Sequence, residues 1–446
     1  MKKNKKSFKK NQSFIKSLLS YIPGGAHTYS KSASQFSSNV PALIKYGKGA
    51  TVYDSFNRSY LDSSMGLSSV SLGHAYRPVI KVINKQLDLG VNFSRPSTIE
   101  LDVAKKFLNL IPQHQMIKFA KNGSTVTTAA IKLARAFTGR DLVLFPDNHP
   151  FYSYDDWFIG KTNINLGVPK NISKLSITFK GCNIDSLKKV LKKYSHRVAC
   201  VITEPLKNYC GYNCGCINSP RSFLEQAIDI THHYKSIFIL DEMVTGFKFA
   251  FPGVITKYNL DADLATWGKS VGNGFSFCAL TGKRNIMSLG DLNNKKKVFL
   301  ISTTHGAETH SLAAGSKVID IFIKKKVIKH NYKICQLIIK KCSNLIKEKN
   351  LGDYILITEC PWLVGFEFCD NKKNISKMYK TLFIQEMIKN GVLFQGTFVS
   401  SLSHSNKDVK KFINAFENAL NIYQKALKKR ATYFLNGGII KPIFNK

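Results

Sequence analysis

Two short apolar runs constrain this chain more than any other feature. Ile237-Phe238-Ile239-Leu240-Asp241-Glu242 ends abruptly in two carboxylates, and Leu264-Ala265-Thr266-Trp267-Gly268-Lys269-Ser270 closes on a lone lysine. Neither run alternates, and both are bounded by turn residues, which is the pattern of buried parallel strands. In open α/β sheets the ligand crevice lies beyond the carboxyl ends of the strands. The two runs therefore predict an acid and an amine at one edge of one sheet. Taken singly, Asp241 reads as a cap for the next element and Lys269 as one surface lysine among many.

Taken together, the two residues suggest a chemistry. A lysine at a strand end can form a Schiff base with a carbonyl when its surroundings lower its pKa. An aspartate beside a pyridine nitrogen keeps that nitrogen protonated. Pyridoxal phosphate (PLP) needs both, so that its ring can act as an electron sink. The pair predicts PLP as cofactor, with Lys269 at the aldehyde and Asp241 at the ring nitrogen.

The length of 446 residues predicts two or three domains. Residues 1–74 read as an N-terminal segment, with a frayed basic lead-in over 1–20 and then a small antiparallel meander with glycine turns. Residues 75–325 alternate strands with helices, which predicts an α/β domain with a mostly parallel sheet. Residues 326–446 read as a smaller C-terminal α+β domain. Within the large domain, Ile117-Lys118-Phe119-Ala120 ends in Asn122-Gly123-Ser124-Thr125 and opens a helix over 126–137, with Ala130, Leu133, Ala134 and Phe137 on one face. A Gly-Ser-Thr step at a helix start offers a phosphate free N–H groups and the positive end of the helix dipole. Ordinary N-capping by Ser or Thr is the alternative. The loop over 146–157 carries Phe151, Tyr152, Tyr154 and Trp157. An aromatic there either covers one face of a flat ring or packs the loop. Cys200-Val201-Ile202-Thr203-Glu204-Pro205 is a further strand ending in an acid. The stretch from Gly272 to Ile286 reads as loop.

The net charge of +38 raises the question of a polyanionic partner. The excess is mainly Lys and is spread along the chain, whereas Arg, the better reader of phosphates and bases, is scarce by comparison. No helix-turn-helix, zinc-finger or RNP-type signature is present, so nucleic acid is not expected as a partner. No apolar run is long enough to span a bilayer, so no membrane partner is expected. The basic N-terminus lacks the apolar core and cleavage site of a signal peptide, and a cytoplasmic location is expected. Of ten cysteines, seven are scattered and read as buried free thiols. Cys210, Cys214 and Cys216 share a Gly-rich loop. They form no CxxC pair and have no histidine close by, which favours a reduced active-site loop over a metal.

Beyond these readings, a set of motifs covers nearly the whole chain. It comprises Ile22-Pro23-Gly24-Gly25, Gly73-His74-Ala75, Lys132-Leu133-Ala134-Arg135-Ala136-Phe137-Thr138-Gly139-Arg140, Glu204-Pro205, Asp241-Glu242-Met243-Val244-Thr245-Gly246-Phe247, Gly268-Lys269, Thr303-Thr304-His305-Gly306 and Ala313-Ala314-Gly315. With these the chain resembles the class III aminotransferases of the fold type I PLP enzymes, closest to their glutamate-1-semialdehyde aminomutase branch. The resemblance implies that Lys269 is the Schiff-base lysine and proton shuttle, and that Asp241 pairs with the pyridine nitrogen. Met243 falls where Val or Ile usually packs under the ring. Gly123 and Ser124 match the phosphate-binding step. Phe151 stands where a stacking Tyr is common, and Tyr152 where a His often follows. Glu204 matches an acid near the ring hydroxyl. Thr303, or Thr304 one position on, matches a threonine that reaches the phosphate in the partner subunit of a homodimer. The implied reaction is a ping-pong amino transfer between a small-molecule amine and a carbonyl substrate, with the intramolecular aminomutase reaction as its alternative. Three departures bear on substrate. Thr125 stands where Glu is usual, Gly306-Ala307-Glu308 replaces Gly-Asn-Pro, and Lys31 replaces an arginine that grips a substrate carboxylate with a bidentate fork.

Overall fold

The computed structural model describes residues 2–147, 149, 151–205, 220–358 and 360–444. The chain starts with a helix, Lys2–Tyr21, where a frayed lead-in was expected. The segment holds no Gly or Pro to break a helix, and Pro23 follows its end. It is also tied down. The Asn11 side chain donates to Val40 O at 2.8 Å and accepts from Ala42 N–H at 2.8 Å. Strands β1 (Ile44–Lys48), β2 (Thr51–Asp54) and β3 (Ser59–Asp62) then form the expected antiparallel meander. Gly49, at φ +59°, makes the first tight turn.

Seven strands follow in one sheet: β4 (Met116–Ala120), β5 (Leu142–Pro146), β6 (Ser176–Phe179), β7 (Val198–Thr203), β8 (Ile237–Asp241), β9 (Leu264–Trp267) and β10 (Cys278–Gly282). Their order is β4-β10-β9-β8-β7-β5-β6. Strands β5 to β9 pair in parallel, and β10 runs antiparallel to both β9 and β4. Strand β10 lies where a loop was expected. Its sequence, Cys-Ala-Leu-Thr-Gly, has little β-branched character, but every residue of it is buried between its two neighbours. The helix Gly123–Thr138 packs on this sheet through Val126, Ala130, Leu133 and Ala134, all fully buried. Phe137, assigned to the same face by its spacing, is 43 % exposed, because the helix ends at Thr138 and Gly139 turns the chain away at φ +66°.

The last strands are β11 (Ile355–Ile357), β12 (Val364–Phe368), β13 (Val392–Leu393) and β14 (Thr397–Phe398). Strands β11, β12 and β14 make a small antiparallel sheet, whereas β13 pairs in parallel with β3, Val392 opposite Leu61. That pairing has a consequence for the expected boundaries near 74 and 325. Residues 1–68, 72–76 and 329–446 form one compact unit, and residues 69–71 and 77–328 form another. The N-terminal segment and the C-terminal part are thus a single unit, since β13 covers the edge that the meander leaves open at β3. Its core packs Phe366, Phe383, Phe394, Phe412 and Phe416 against one another, mostly edge-on or tilted. The helix Asn406–Lys428 over that core opens with a capping box between Ser405 and Asp408.

Candidate active site

The candidate site is built at the carboxyl edge of the seven-stranded sheet. Pairing of β8 with β9 puts Asp241 opposite Thr266. The Thr266 hydroxyl donates to Asp241 Oδ1 at 2.7 Å, and the Met243 N–H donates to the same oxygen at 3.0 Å. Asp241 is 2 % exposed. Burial, and then the charge of Glu204, push its carboxyl up to about 6, against the pull of Thr266, Lys269 and Met243. Lys269 is the first residue of the short turn after β9, three positions past Thr266. Its φ is +45°, in the left-handed region that few side chains other than glycine adopt. Strain of that kind concentrates at functional positions. The ammonium of Lys269 lies close enough to both Asp241 and Cys278 to favour their ionised forms. Burial nonetheless pushes the Cys278 thiol up to about 12, so this sulfur packs as a neutral group.

Met243 fills the space between two glycines. A Cβ on Gly268 would lie 2.3 Å from Met243 Sδ and 2.7 Å from Cys278 Sγ, and one on Gly123 would lie 3.0 Å from Met243 Cε. A side chain at Gly268 would force Met243 and Cys278 to shift, and one at Gly123 would press on the end of Met243. Gly123 begins a 16-residue helix whose N-cap is Asn122, not Ser124 or Thr125; the Asn122 side chain accepts from Thr125 N–H at 3.0 Å. With Thr125 capped by Asn122, the N–H groups of Gly123 and Ser124 have no helical carbonyl to bond. They form the start of an anion seat. Ser124 Oγ accepts from Tyr154 N–H at 3.1 Å, which ties this seat to the aromatic loop.

Glu204 directly follows β7, beside Asp241 at the end of β8. The register pairs Thr203 with Leu240, so the two acids are the next pair along. Tyr152 is 3 % exposed. Its hydroxyl accepts from Glu204 N–H at 3.2 Å and donates to Ile202 O at 3.4 Å. Its ring stacks on His149 with centroids 3.4 Å apart. Phe151 is 48 % exposed and meets Phe158 edge-on, which leaves most of its ring open. Thr303 lies in an exposed loop and donates to His305 O at 2.8 Å. Gly306 brings that loop against the end of β4, where a Cβ would lie 3.7 Å from Ala120 Cα. The same loop is pinned by buried Glu308, which pairs with Lys121 at 3.1 Å and His305 at 3.4 Å. Thr304 O accepts from Asn92 Nδ2 at 2.9 Å.

The structure thus brings Asp241, Lys269, Glu204, Met243, Gly123, Ser124 and Tyr152 to one sheet edge. Lys31 belongs to the other unit, exposed at the end of a short turn, Tyr29–Lys31. Cys210, Cys214 and Cys216 lie outside the described residues. Six of the seven scattered cysteines are buried thiols in no disulfide, whereas Cys182 is disulfide-bonded and departs from that expectation. Sequence reading missed Thr266, His149 and Cys278, because each acquires its role only through strand register or loop packing. For Thr266 there was one signal, a lone hydroxyl inside an otherwise apolar run.

These residues fit PLP. A buried acid, an amine and a helix N-terminus stand at one sheet edge, and the two glycines leave room there for Met243, the size of side chain that can support a flat ring. Residues 32–420 match the family described as aminotransferase class-III. The glutamate-1-semialdehyde 2,1-aminomutase of Francisella philomiragia is 28 % identical over 430 residues, covering 90 % of this chain and 96 % of that protein. The PLP internal aldimine form of the Sphingopyxis sp. FumI protein has a TM-score of 0.83 at 18 % identity, covering 97 % of this chain and 98 % of that one. An omega-transaminase from Sphaerobacter thermophilus has a TM-score of 0.81 at 20 % identity, covering 92 % and 97 %. These two structures share the fold of the present chain. With the family matched over most of its length and the buried acid, the lysine and the anion seat on one sheet edge, the chain belongs to the class III aminotransferases, which are PLP-dependent enzymes of fold type I.

Proposed function

We propose that the chain is an aminotransferase that moves an amino group between a small amine donor and a carbonyl acceptor by a ping-pong route. The observation that carries this reading is the Asp241–Lys269 pair, coupled in charge at the ends of adjacent strands. PLP, when bound, supplies an electrophilic carbonyl carbon and a ring that withdraws electrons. The chain supplies the rest. Gly123 and Ser124 bind the phosphate through their N–H groups. Asp241 holds the proton shared with the ring nitrogen, and Thr266 and Met243 orient its carboxylate. Met243 supports one face of the ring, Phe151 covers the other, and Glu204 with Tyr152 lines the hydroxyl side. Lys269 anchors the cofactor through Nζ and then carries the substrate's α-proton as general base and acid. Thr303 completes the phosphate site of a partner subunit, so the active form is a homodimer. Among the described residues no helix is long and apolar enough to cross a membrane. We take the enzyme to work in the cytoplasm on small molecules.

A single experiment tests the reading. The visible band of the PLP-loaded chain is followed against a panel of amines, and loss of the band on addition of one amine, with recovery on a keto acid, is the expected result. Lys269→Ala abolishes both the lysine-bound band and turnover. A chain that keeps normal turnover without Lys269 overturns the assignment. A second reading is the intramolecular aminomutase reaction, favoured by relatives such as the Francisella protein. Formation of 5-aminolevulinate from glutamate-1-semialdehyde, with no second substrate, selects it.

A further inference from the structure

His149 is a buried histidine that the mechanism above does not use. Phe151 N–H donates to its Nδ1 at 3.1 Å. That bond fixes Nδ1 as acceptor and leaves the ring proton on Nε2. Nε2 lies 3.2 Å from Glu204 Oε1, with both side chains almost wholly buried. The resemblance places a histidine at position 152, but this chain has Tyr152 there, and Tyr152 stacks on His149 while its hydroxyl accepts from the Glu204 N–H. The imidazole therefore reaches the acid end of β7 from three residues earlier in the loop, held flat by the tyrosine.

We propose that His149 is a positioning residue: by donating from Nε2 to Glu204 it keeps that carboxylate ionised beside Asp241, and so sets how tightly the proton at the cofactor nitrogen is held. The proposal rests on the function proposed above. Its geometry is the 3.2 Å contact together with the strand register that makes Glu204 and Asp241 neighbours. A buried carboxylate without a donor takes up a proton, and a charged carboxylate beside a second acid raises the proton affinity of that acid. The charge of Glu204 is the second largest reason why Asp241 holds its proton more tightly than an exposed aspartate. Among the described residues, the titratable groups around the pair are Tyr152 and His149 from the loop after β5, Glu242 beside Asp241, Lys269 after β9 and Cys278 at the start of β10.

The test uses the full chain. Loaded with PLP, the wild type, His149→Phe, His149→Gln and Glu204→Gln variants are titrated by visible absorbance across neutral pH. Loss of the donor in His149→Phe lowers the titration midpoint by about one pH unit or more, as expected for a like charge removed nearby. His149→Gln, which keeps an N–H donor, shifts it less, and in the Glu204→Gln background His149→Phe adds nothing. An unchanged midpoint in His149→Phe, or an equal shift in both backgrounds, overturns the proposal. A second arm needs no cofactor. The Nε2 proton of His149 is found by NMR in the cofactor-free chain through its loss in His149→Gln. It must move on Glu204→Gln, and a resonance that stays in place also overturns the proposal. Failure of PLP to bind would count against the proposed function, and the NMR arm would still decide the His149–Glu204 contact.

Discussion

Thr266 shows how one hydroxyl can tune a buried acid. It donates to Asp241 Oδ1 at 2.7 Å and so favours the carboxylate, against a burial that disfavours it. Thr266→Val keeps the branched shape and removes the donor, and a buried acceptor that loses such a partner is destabilised by roughly 1–3 kcal/mol in its charged form. The Asp241 carboxyl therefore rises further above about 6, and more of it is protonated at neutral pH before PLP arrives. The expected outcome is weaker PLP affinity, with the pH midpoint of binding moved upward, measured by titrating the variant with PLP at several pH values. At this scale the sequence was legible where a residue ends an apolar run. Asp241, Glu204 and Lys269 all stand at such ends, so the sheet-edge rule alone brings them to one place. Thr266 and His149 were not legible. The partner of the first depends on which residue of β9 faces Asp241, and that of the second on how an aromatic loop folds back on β7.

The helix Gly123–Thr138 owes its start to Asn122. The Asn122 side chain satisfies Thr125 N–H and leaves the two preceding N–H groups for an anion. Asn122→Ala should destabilise the chain by about 1 kcal/mol, as other lost N-caps do. The measurement is the urea midpoint, which falls with an unchanged slope if the fold stays the same. A long apolar periodicity is legible in sequence, as in the helix expected over 126–137 and found as Gly123–Thr138. Strand β10 was missed because its residues are small and its neighbours decide its conformation: β9 pairs with one side and β4, some 160 residues earlier, with the other. Strand β6 was missed for a related reason. It is a four-residue edge strand with only two buried positions.

Across the whole molecule, stability carries the imprint of its buried acids. Glu242 is fully buried, accepts from Thr245 Oγ1 at 2.5 Å and from Ile255 N–H at 2.8 Å, and its carboxyl is pushed up by burial from 4.5 to about 7. Between those two values the folded chain keeps a proton that the unfolded chain has released, so the contribution of this group to stability falls as pH rises through that window. Glu242→Gln keeps the shape and cannot titrate. Its stability relative to the wild type should therefore grow from the acid side to neutral pH, read as the difference in urea midpoints of the cofactor-free chains. The three-part division expected from sequence separated the two ends of the chain because a two-residue strand such as β13 leaves almost no periodic signal, whereas its pairing with β3 decides which parts belong together. That pairing governs the order in which the protein can be made. As the nascent chain leaves the ribosome, the meander emerges early and must wait for more than three hundred further residues before Val392 and Leu393 arrive to flank it. The unit of residues 77–328, nearly contiguous, can fold in the meantime. Synthesis halted just short of residue 392 would thus release a polypeptide whose seven-stranded sheet is already closed while its first sheet still shows a bare flank to passing strands.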